Sequence, residues 1–76
     1  MNLWCLKDNQ CASIGEFEND ICPKYQLRFL ELGFQKGERI RCIQSTPFNG
    51  SKVFEISNSV FSVSEVEASK ILVHVL

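Results

Sequence analysis

The most constraining feature of this sequence is a pair of glycines, Gly33 and Gly37, between an apolar helical pattern and a strand pattern. Gly33 stands where a helix usually ends in a left-handed residue, a conformation that is costly for a residue with a Cβ atom but not for glycine. Gly37 allows a second reversal, so only a few residues join helix and strand. We therefore expect Gly33 and Gly37 to fix the angle between the two elements.

The length of the chain, 76 residues, predicts one small domain spanning residues 1–76. A folded chain of this size has a surface of about 4,700 Å², and a standard protein interface uses about 800 Å² of each partner. One docking face fits on such a surface, whereas a docking face together with a deep catalytic cleft does not.

Charge is nearly balanced, with eight basic and nine acidic residues and a formal net charge of −1. This argues against nucleic-acid binding, which is typical of basic domains. Arg28 is expected to pair with Glu31, three residues later on a helix. The cations around the glycine pair are interpreted either as a solvated surface of mixed charge or as a docking patch for an acidic partner; they are Arg28, Lys36, Arg39 and Arg41.

Membrane and secretory segments are not expected. The sequence has no run of about 18 apolar residues that could span a membrane. Its first residues also lack the basic region and apolar core of a secretory signal. The expected location is therefore the cytoplasm.

Residues that could bind a metal or perform catalysis are few. The sole histidine, His74, lies in an apolar segment and is interpreted as structural. An acidic loop with Glu16, Glu18 and Asp20 is either solvated or binds a cation weakly. We predict no enzyme activity, no metal site and no cofactor. Four cysteines without C-x-x-C spacing are interpreted as small hydrophobic residues, with a metal or redox role as the open alternative; they are Cys5, Cys11, Cys22 and Cys42.

The first part of the chain predicts an arm and a strand. Residues 1–10 contain Leu3, Trp4 and Leu6, which a chain this short is not expected to leave exposed. Residues 11–17 have a weak alternation that predicts a strand. The arm is therefore expected to pack onto the domain.

A helix is predicted over about residues 23–32, because Pro23 suits the first helical position. Leu27, Leu30 and the following Phe34 are spaced so that one apolar face points inward. A strand is predicted next, over residues 38–45.

In the predicted strand 38–45, Ile40 and Cys42 share one face. Residues 46–51 predict a turn, since they contain Pro47 and an Asn-Gly pair that ends at Gly50. A hairpin over residues 52–56 and 60–63 is expected to follow.

The end of the chain predicts a short helix and a last strand. Ser64 and Glu67 form a capping-box pattern that begins a helix over about residues 64–70. The nearly continuous apolar run at residues 71–76 predicts a buried strand. About five strands this short avoid exposed edges best in a closed sheet, so we predict a mostly β fold, a small barrel with one helix and one short helical turn.

The ordered motifs of the chain resemble the ferrous iron transport protein A (FeoA) family. In that family a helix of the form R-L-x-x-L-G is followed by a hydrophobic residue, x-x-G and a strand, to which residues 28–40 are similar. Pro47 and Gly50 look like the family's A-P-x-G-D-P loop, and residues 67–73 look like its E-A-x-x-I-x-V ending. The loop departs from the family around residues 51–52, and Ser64 stands where an arginine often precedes the last helix.

The resemblance implies an SH3-like barrel and an accessory role in ferrous iron uptake. The implied partner is the FeoB-type permease, a membrane protein with a cytosolic GTPase domain, and the chain itself is expected to be a monomer or a weak oligomer. A soluble iron carrier and a metal-responsive regulatory module are the alternatives. We predict structural roles for Gly33, Gly37, Gly50 and Ser64, and the residues predicted to bind the partner are Arg28, Lys36, Arg39, Arg41, Pro47 and Phe48.

Overall fold

The structure is a computed structural model that describes residues 1–48 and 50–76; for residues 47 and 48 it describes the backbone alone. Within these residues lie five strands, two α-helices and one 3-10 turn. In chain order they are the 3-10 turn Leu3–Cys5, β1 Cys11–Phe17, α1 Pro23–Glu31, β2 Arg39–Phe48, β3 Ser51–Ile56, β4 Ser59–Ser64, α2 Glu65–Ala68 and β5 Ile71–Val75.

The strands form one antiparallel sheet in the order β4–β3–β2–β1–β5. Strand β1 has two neighbours, so Ala12 lies opposite Ile40 of β2 on one side and opposite Val75 of β5 on the other. The register shifts between Ile14 and Phe17 in β1 and at two places in β2. Such irregularities bend a strand and increase its twist. The sheet thereby curls into the SH3-like small barrel that the sequence predicts, although its end strands β4 and β5 do not pair with each other in the described structure.

The core fills the inside of the curled sheet and includes the N-terminal arm. Leu3 and Leu6 are fully buried, as predicted. Lys52 of β3 holds the arm, since its ammonium group donates a hydrogen bond to the Trp4 carbonyl and lies 4.6 Å from the centre of the indole ring. A cation over an aromatic face is attracted by the ring quadrupole. Other large buried side chains are Ile14, Phe29, Phe34, Ile40, Cys42, Phe54, Ile56, Val63 and Ile71.

The buried face of α1 differs from the prediction. Leu27 and Leu30 are exposed, and the buried residue of α1 is Phe29. At the end of the helix the Phe34 N–H donates to the Phe29 carbonyl at 2.9 Å, and the Gly33 N–H donates to the Leu30 carbonyl at 3.2 Å. This Schellman motif brings the first and last of its residues together, and the rings of Phe29 and Phe34 are 5.0 Å apart. The aromatic pair therefore sets the face that α1 buries.

Gly33 and Gly37 have the left-handed conformation that the sequence predicts, with φ of +100° and +91°. A Cβ atom added at Gly33 would have the Ser57 hydroxyl as its neighbour, at 3.8 Å, which is ordinary van der Waals contact. The cost of a substitution at Gly33 therefore comes from the backbone conformation and not from a steric clash.

Gly33→Ala is expected to destabilise the protein by about 1–2 kcal/mol, because an alanine held in a left-handed conformation is strained. Urea unfolding followed by circular dichroism measures this as a lower midpoint with an unchanged slope. Gln35→Ala, at an exposed position of the same connection, is the control and should leave the midpoint in place. Equal midpoints for Gly33→Ala and the wild type would show that the left-handed residue does not limit this junction.

The hairpin and the second helix form where the sequence predicts them. Ser57 and Asn58 have φ of +50° and +65°, and a two-residue turn of two left-handed residues suits the twist of a β-hairpin. The Ser64 hydroxyl accepts the Glu67 N–H at 3.3 Å, and the Glu67 carboxylate accepts the Ser64 N–H at 3.4 Å. This reciprocal capping box begins α2, which ends at Ala68 and is shorter than predicted.

Two predictions about strand ends are wrong. Strand β2 continues through the first half of the predicted turn because it keeps pairing with β3, with Phe48 opposite Ser51. The predicted burial of the last strand holds only at its beginning, since His74 and Val75 are exposed. Consecutive residues of a strand point to opposite faces, so both faces of β5, which is an end strand of the sheet, are solvated at these two residues. His74 is therefore a surface residue.

Candidate docking surface

Two of the basic residues that the sequence places in one cluster form separate ion pairs. Arg28 of α1 donates to the Glu67 carboxylate of α2 at 2.8 Å, so the pairing with Glu31 is wrong. The partner lies far along the chain and is brought to α1 by the fold. Lys36 follows α1 and pairs with Glu16 of β1 at 3.3 Å, with both side chains largely exposed.

Arg39 and Arg41 stay together. Both line a shallow cavity of about 410 Å³. Arg41 is held by the Glu55 carboxylate of β3 at 3.2 Å and by the Asn9 side-chain oxygen at 3.1 Å. Arg39 donates to the Cys11 sulfur at 3.5 Å, and no carboxylate of the described residues pairs with it. Among the four predicted cations, Arg39 thus keeps its charge most available to a partner.

The side chains of Pro47 and Phe48, also predicted to bind a partner, lie outside the described part of the structure. Gly50, which follows them, has φ of +76°, as suits a turn glycine. An aromatic contact at this loop stays a prediction.

Two exposed leucines on α1 form a surface that the sequence does not predict. Leu27 is 60% exposed and Leu30 is 39% exposed, and residues three apart are neighbours on a helix. Leu30 also lines a cavity of about 400 Å³ next to α1. Leu27, Leu30 and this cavity are called the α1 face below, and the other residues lining the cavity are Gly15, Glu16, Phe17, Glu18, Asn19, Gln26 and Lys36.

The α1 face combines an apolar centre with a polar rim. Leu27 and Leu30 provide the apolar part, while the Lys36–Glu16 pair and Glu18 lie around the cavity.

The signal that could have revealed this face is the aromatic residue directly after Gly33. A Schellman end pairs that position with a residue five places earlier, which assigns Phe29 to the core and leaves the leucines outside.

Three ionisable groups have shifted pKa values, and none of them lines either of the two cavities. The Ser45 N–H, which donates to Asp8 at 2.6 Å, lowers the pKa of that carboxyl. The Lys70 ammonium, 2.7 Å from Asp20, lowers the pKa of the Asp20 carboxyl. Burial raises the pKa of the Cys42 thiol. Because none of these groups lines a cavity, their shifts do not indicate catalysis at either one.

Metal-ligating side chains are scattered over the described structure. Within residues 1–48 and 50–76, no group of three or more histidine, cysteine, aspartate or glutamate residues is arranged to hold a metal ion. The interpretation of the cysteines as small buried hydrophobic residues is confirmed for Cys42 and is wrong for Cys5 and Cys22, which are exposed at the surface, while Cys11 is partly buried. None of the helices in this part of the chain has the length and apolar character that crossing a membrane requires.

A family model described as the FeoA domain matches residues 1–75 of the chain. The chain belongs to the FeoA family. The resemblance drawn from the motif around Gly33 and Gly37 is thereby confirmed, and membership places the protein among accessory proteins of ferrous iron transport. No curated protein matches the sequence significantly.

Solved structures share the fold of this FeoA-family chain. An iron(II) transport protein A from Clostridium thermocellum is 28% identical, with a TM-score of 0.88 over 100% of this chain and 46% of that one. A zinc complex of FeoA from Stenotrophomonas maltophilia is 25% identical, with a TM-score of 0.83 over 96% of this chain and 88% of that one. The Stenotrophomonas protein is described as a procaryotic SH3-domain protein and as a candidate activating factor of ferrous iron transport.

A manganese-dependent transcriptional repressor also contains this fold. It is 22% identical, with a TM-score of 0.89, and the match covers 100% of this chain and 36% of the repressor. At this identity the likeness concerns the fold alone. The chain therefore spans about a third of the repressor and less than half of the Clostridium protein.

Proposed function

We propose that this FeoA-family protein is a cytosolic adaptor that regulates a FeoB-type ferrous iron permease by docking on its cytosolic GTPase domain. The observation that carries the proposal is the exposure of Leu27 and Leu30 side by side on α1. Family membership supports the transport role, and the α1 face supports the mode of action. The protein acts here by binding and not by catalysis.

The composition of the α1 face suits a protein interface. Interfaces have an apolar centre that excludes water and a polar rim, and their strongest contacts fill pockets. Leu27 and Leu30 supply the centre, and the cavity beside Leu30 can receive a side chain of the partner. Burying both leucines on docking removes apolar surface from water, which is favourable at roughly 25 cal/mol per Å².

The residues predicted from the sequence complement this face. Lys36 lines the same cavity as Leu30 and belongs to the rim. Arg39 lines the other cavity and not the α1 face; since no carboxylate of the described residues pairs with it, it can make a separate contact with an acidic group of the permease. Arg28 and Arg41 are already paired with Glu67 and Glu55, so their contribution is expected to be smaller.

Leu27→Glu combined with Leu30→Glu is expected to weaken binding to the purified permease at least about tenfold, a loss of roughly 1.4 kcal/mol, because charges then occupy the apolar centre. A pull-down with and without guanine nucleotide measures binding, and ferrous uptake by cells measures function. Lys36→Glu and Arg39→Glu should reduce binding less, mainly by slowing association.

Val66→Glu is the matched control, because Val66 is 68% exposed on the other helix, α2. It should bind and support uptake as the wild type does. Circular dichroism should be the same for all variants, since both leucines lie on the surface. Wild-type binding by the double leucine variant would rule out the α1 face as the docking site.

A further inference from the structure

The two end strands of the sheet differ in whether their outer edges are covered. The outer edge of β5 is covered by the arm, since Asn2 bridges to Leu72 and the Val73 N–H donates to the Met1 carbonyl at 2.9 Å. Strand β4 ends the sheet on the other side, and no strand of the described chain pairs with its outer edge. An open edge is a template for pairing with another strand.

The hairpin geometry identifies the backbone groups on this open edge. In a two-residue hairpin the residues that flank the turn, here Ile56 and Ser59, form a hydrogen-bonded pair. Because bonding directions alternate along a strand, Phe61 then faces β3, while the N–H and C=O groups of Val60 and Ser62 point outward. No other hydrogen bond in the described structure reaches those two N–H groups.

The sequence of β4 lacks the usual protection of an edge. Proteins guard open edges with charged residues, proline or bulges, but β4 reads Ser-Val-Phe-Ser-Val-Ser and contains none of them. Its pairing with β3 is continuous over all six residues, without a shift in register. Val60 presents a 58% exposed apolar side chain beside the free backbone groups.

We propose that this edge pairs with the same edge of a second copy of the chain, antiparallel about a two-fold axis at Phe61. Val60 of each copy then lies opposite Ser62 of the other, and each such pair exchanges both of its N–H···O bonds. Phe61 lies opposite its own equivalent at a position without hydrogen bonds, where side chains approach closely and aromatic pairs are favourable.

A second copy fits this edge because β4 is complementary to itself in that register. Only the free groups of Val60 and Ser62 are used, and the Ser64 N–H, occupied by Glu67, is not needed. Since β4 carries no charge, no like charges meet across the pair. One strand pair buries far less than the roughly 800 Å² per partner of a stable interface, so the dimer is weak and reversible. It shares no residue with the α1 face.

Sedimentation velocity tests the proposal at protein concentrations from about 20 μM to about 1 mM, the range in which a weak dimer dissociates. The average mass should rise from 8.7 kDa toward twice that value. In amide NMR spectra the signals of Val60, Phe61 and Ser62 should shift with concentration. Val60→Lys and, separately, Ser62→Pro should weaken association at least tenfold. Ser62→Pro removes an outward N–H only, so the β3–β4 pairing keeps its bonds.

Val75→Lys is the control, since it places the same charge on an exposed valine of β5 and should leave association unchanged. A mass that stays at 8.7 kDa over the whole range would overturn the proposal. So would equal weakening by Val75→Lys and Val60→Lys. Concentration-dependent shifts centred on Leu27 and Leu30 would instead assign self-association to the α1 face.

Discussion

Phe29→Ala is expected to lower the free energy of unfolding by about 3–5 kcal/mol, the usual cost of removing a fully buried phenylalanine. Phe29 is the buried residue of α1, and its ring lies 5.0 Å from that of Phe34 and 6.4 Å from that of Phe17. Removing it opens a cavity between the helix and the sheet and leaves the Schellman end without its apolar contact. Small proteins have about 5–15 kcal/mol of stability, so a large share would be lost.

Thermal and urea unfolding measure this effect, and Leu27→Ala is the control from the same helix. Because Leu27 is largely exposed, its truncation should change the free energy of unfolding by less than about 0.5 kcal/mol. The reverse ranking of the two variants would mean that α1 buries its leucines, as the sequence pattern predicts, and that the helix is rotated relative to the structure described above.

Leu6→Ala is expected to destabilise the protein by about 2–5 kcal/mol, although Leu6 precedes the first strand. Leu6 is fully buried with Leu3, and Lys52 ties the arm to β3 through Trp4. The arm also covers the outer edge of β5. If the truncated Leu6 lets the arm detach, both apolar surface and unpaired backbone groups of β5 become exposed.

Urea unfolding again provides the measurement, with Leu76→Ala as the matched control. It is the same substitution near the other end of the chain, where the leucine is 69% exposed, and it should be nearly neutral. If Leu6→Ala were equally neutral, the arm would be an appendage of the barrel and not a part of its core.

Features set by short stretches of sequence are predicted well. Three such features are the left-handed Gly33, the turn at Ser57 and Asn58, and the capping box at Ser64. Each of them depends on residues that are close together in the sequence. For each of them a single physical preference decides the outcome. The number and shortness of the strands predict a small barrel, and the family resemblance specifies it as SH3-like.

The features that the sequence did not predict depend on distant contacts or on competing preferences. Arg28 pairs with Glu67 because α2 is brought beside α1 by the sheet, which no i, i+3 rule anticipates. In a helix of nine residues, leucine spacing and aromatic spacing point to different faces. The Phe29–Phe34 contact decides in favour of the aromatic face, whereas the leucine spacing alone assigns the candidate docking surface to the core. The extension of β2 to Phe48 likewise depends on its pairing with β3.

The position of β1 has a consequence for how the protein is made. Its Ala12 pairs with Val75 of β5, so this side of β1 stays unpaired until β5 has left the ribosome, at about 5–20 residues per second. The β2–β4 meander can form earlier from neighbouring segments. The pairing of β1 with β5 therefore completes the sheet last, and until then one edge of β1 is open to chaperones.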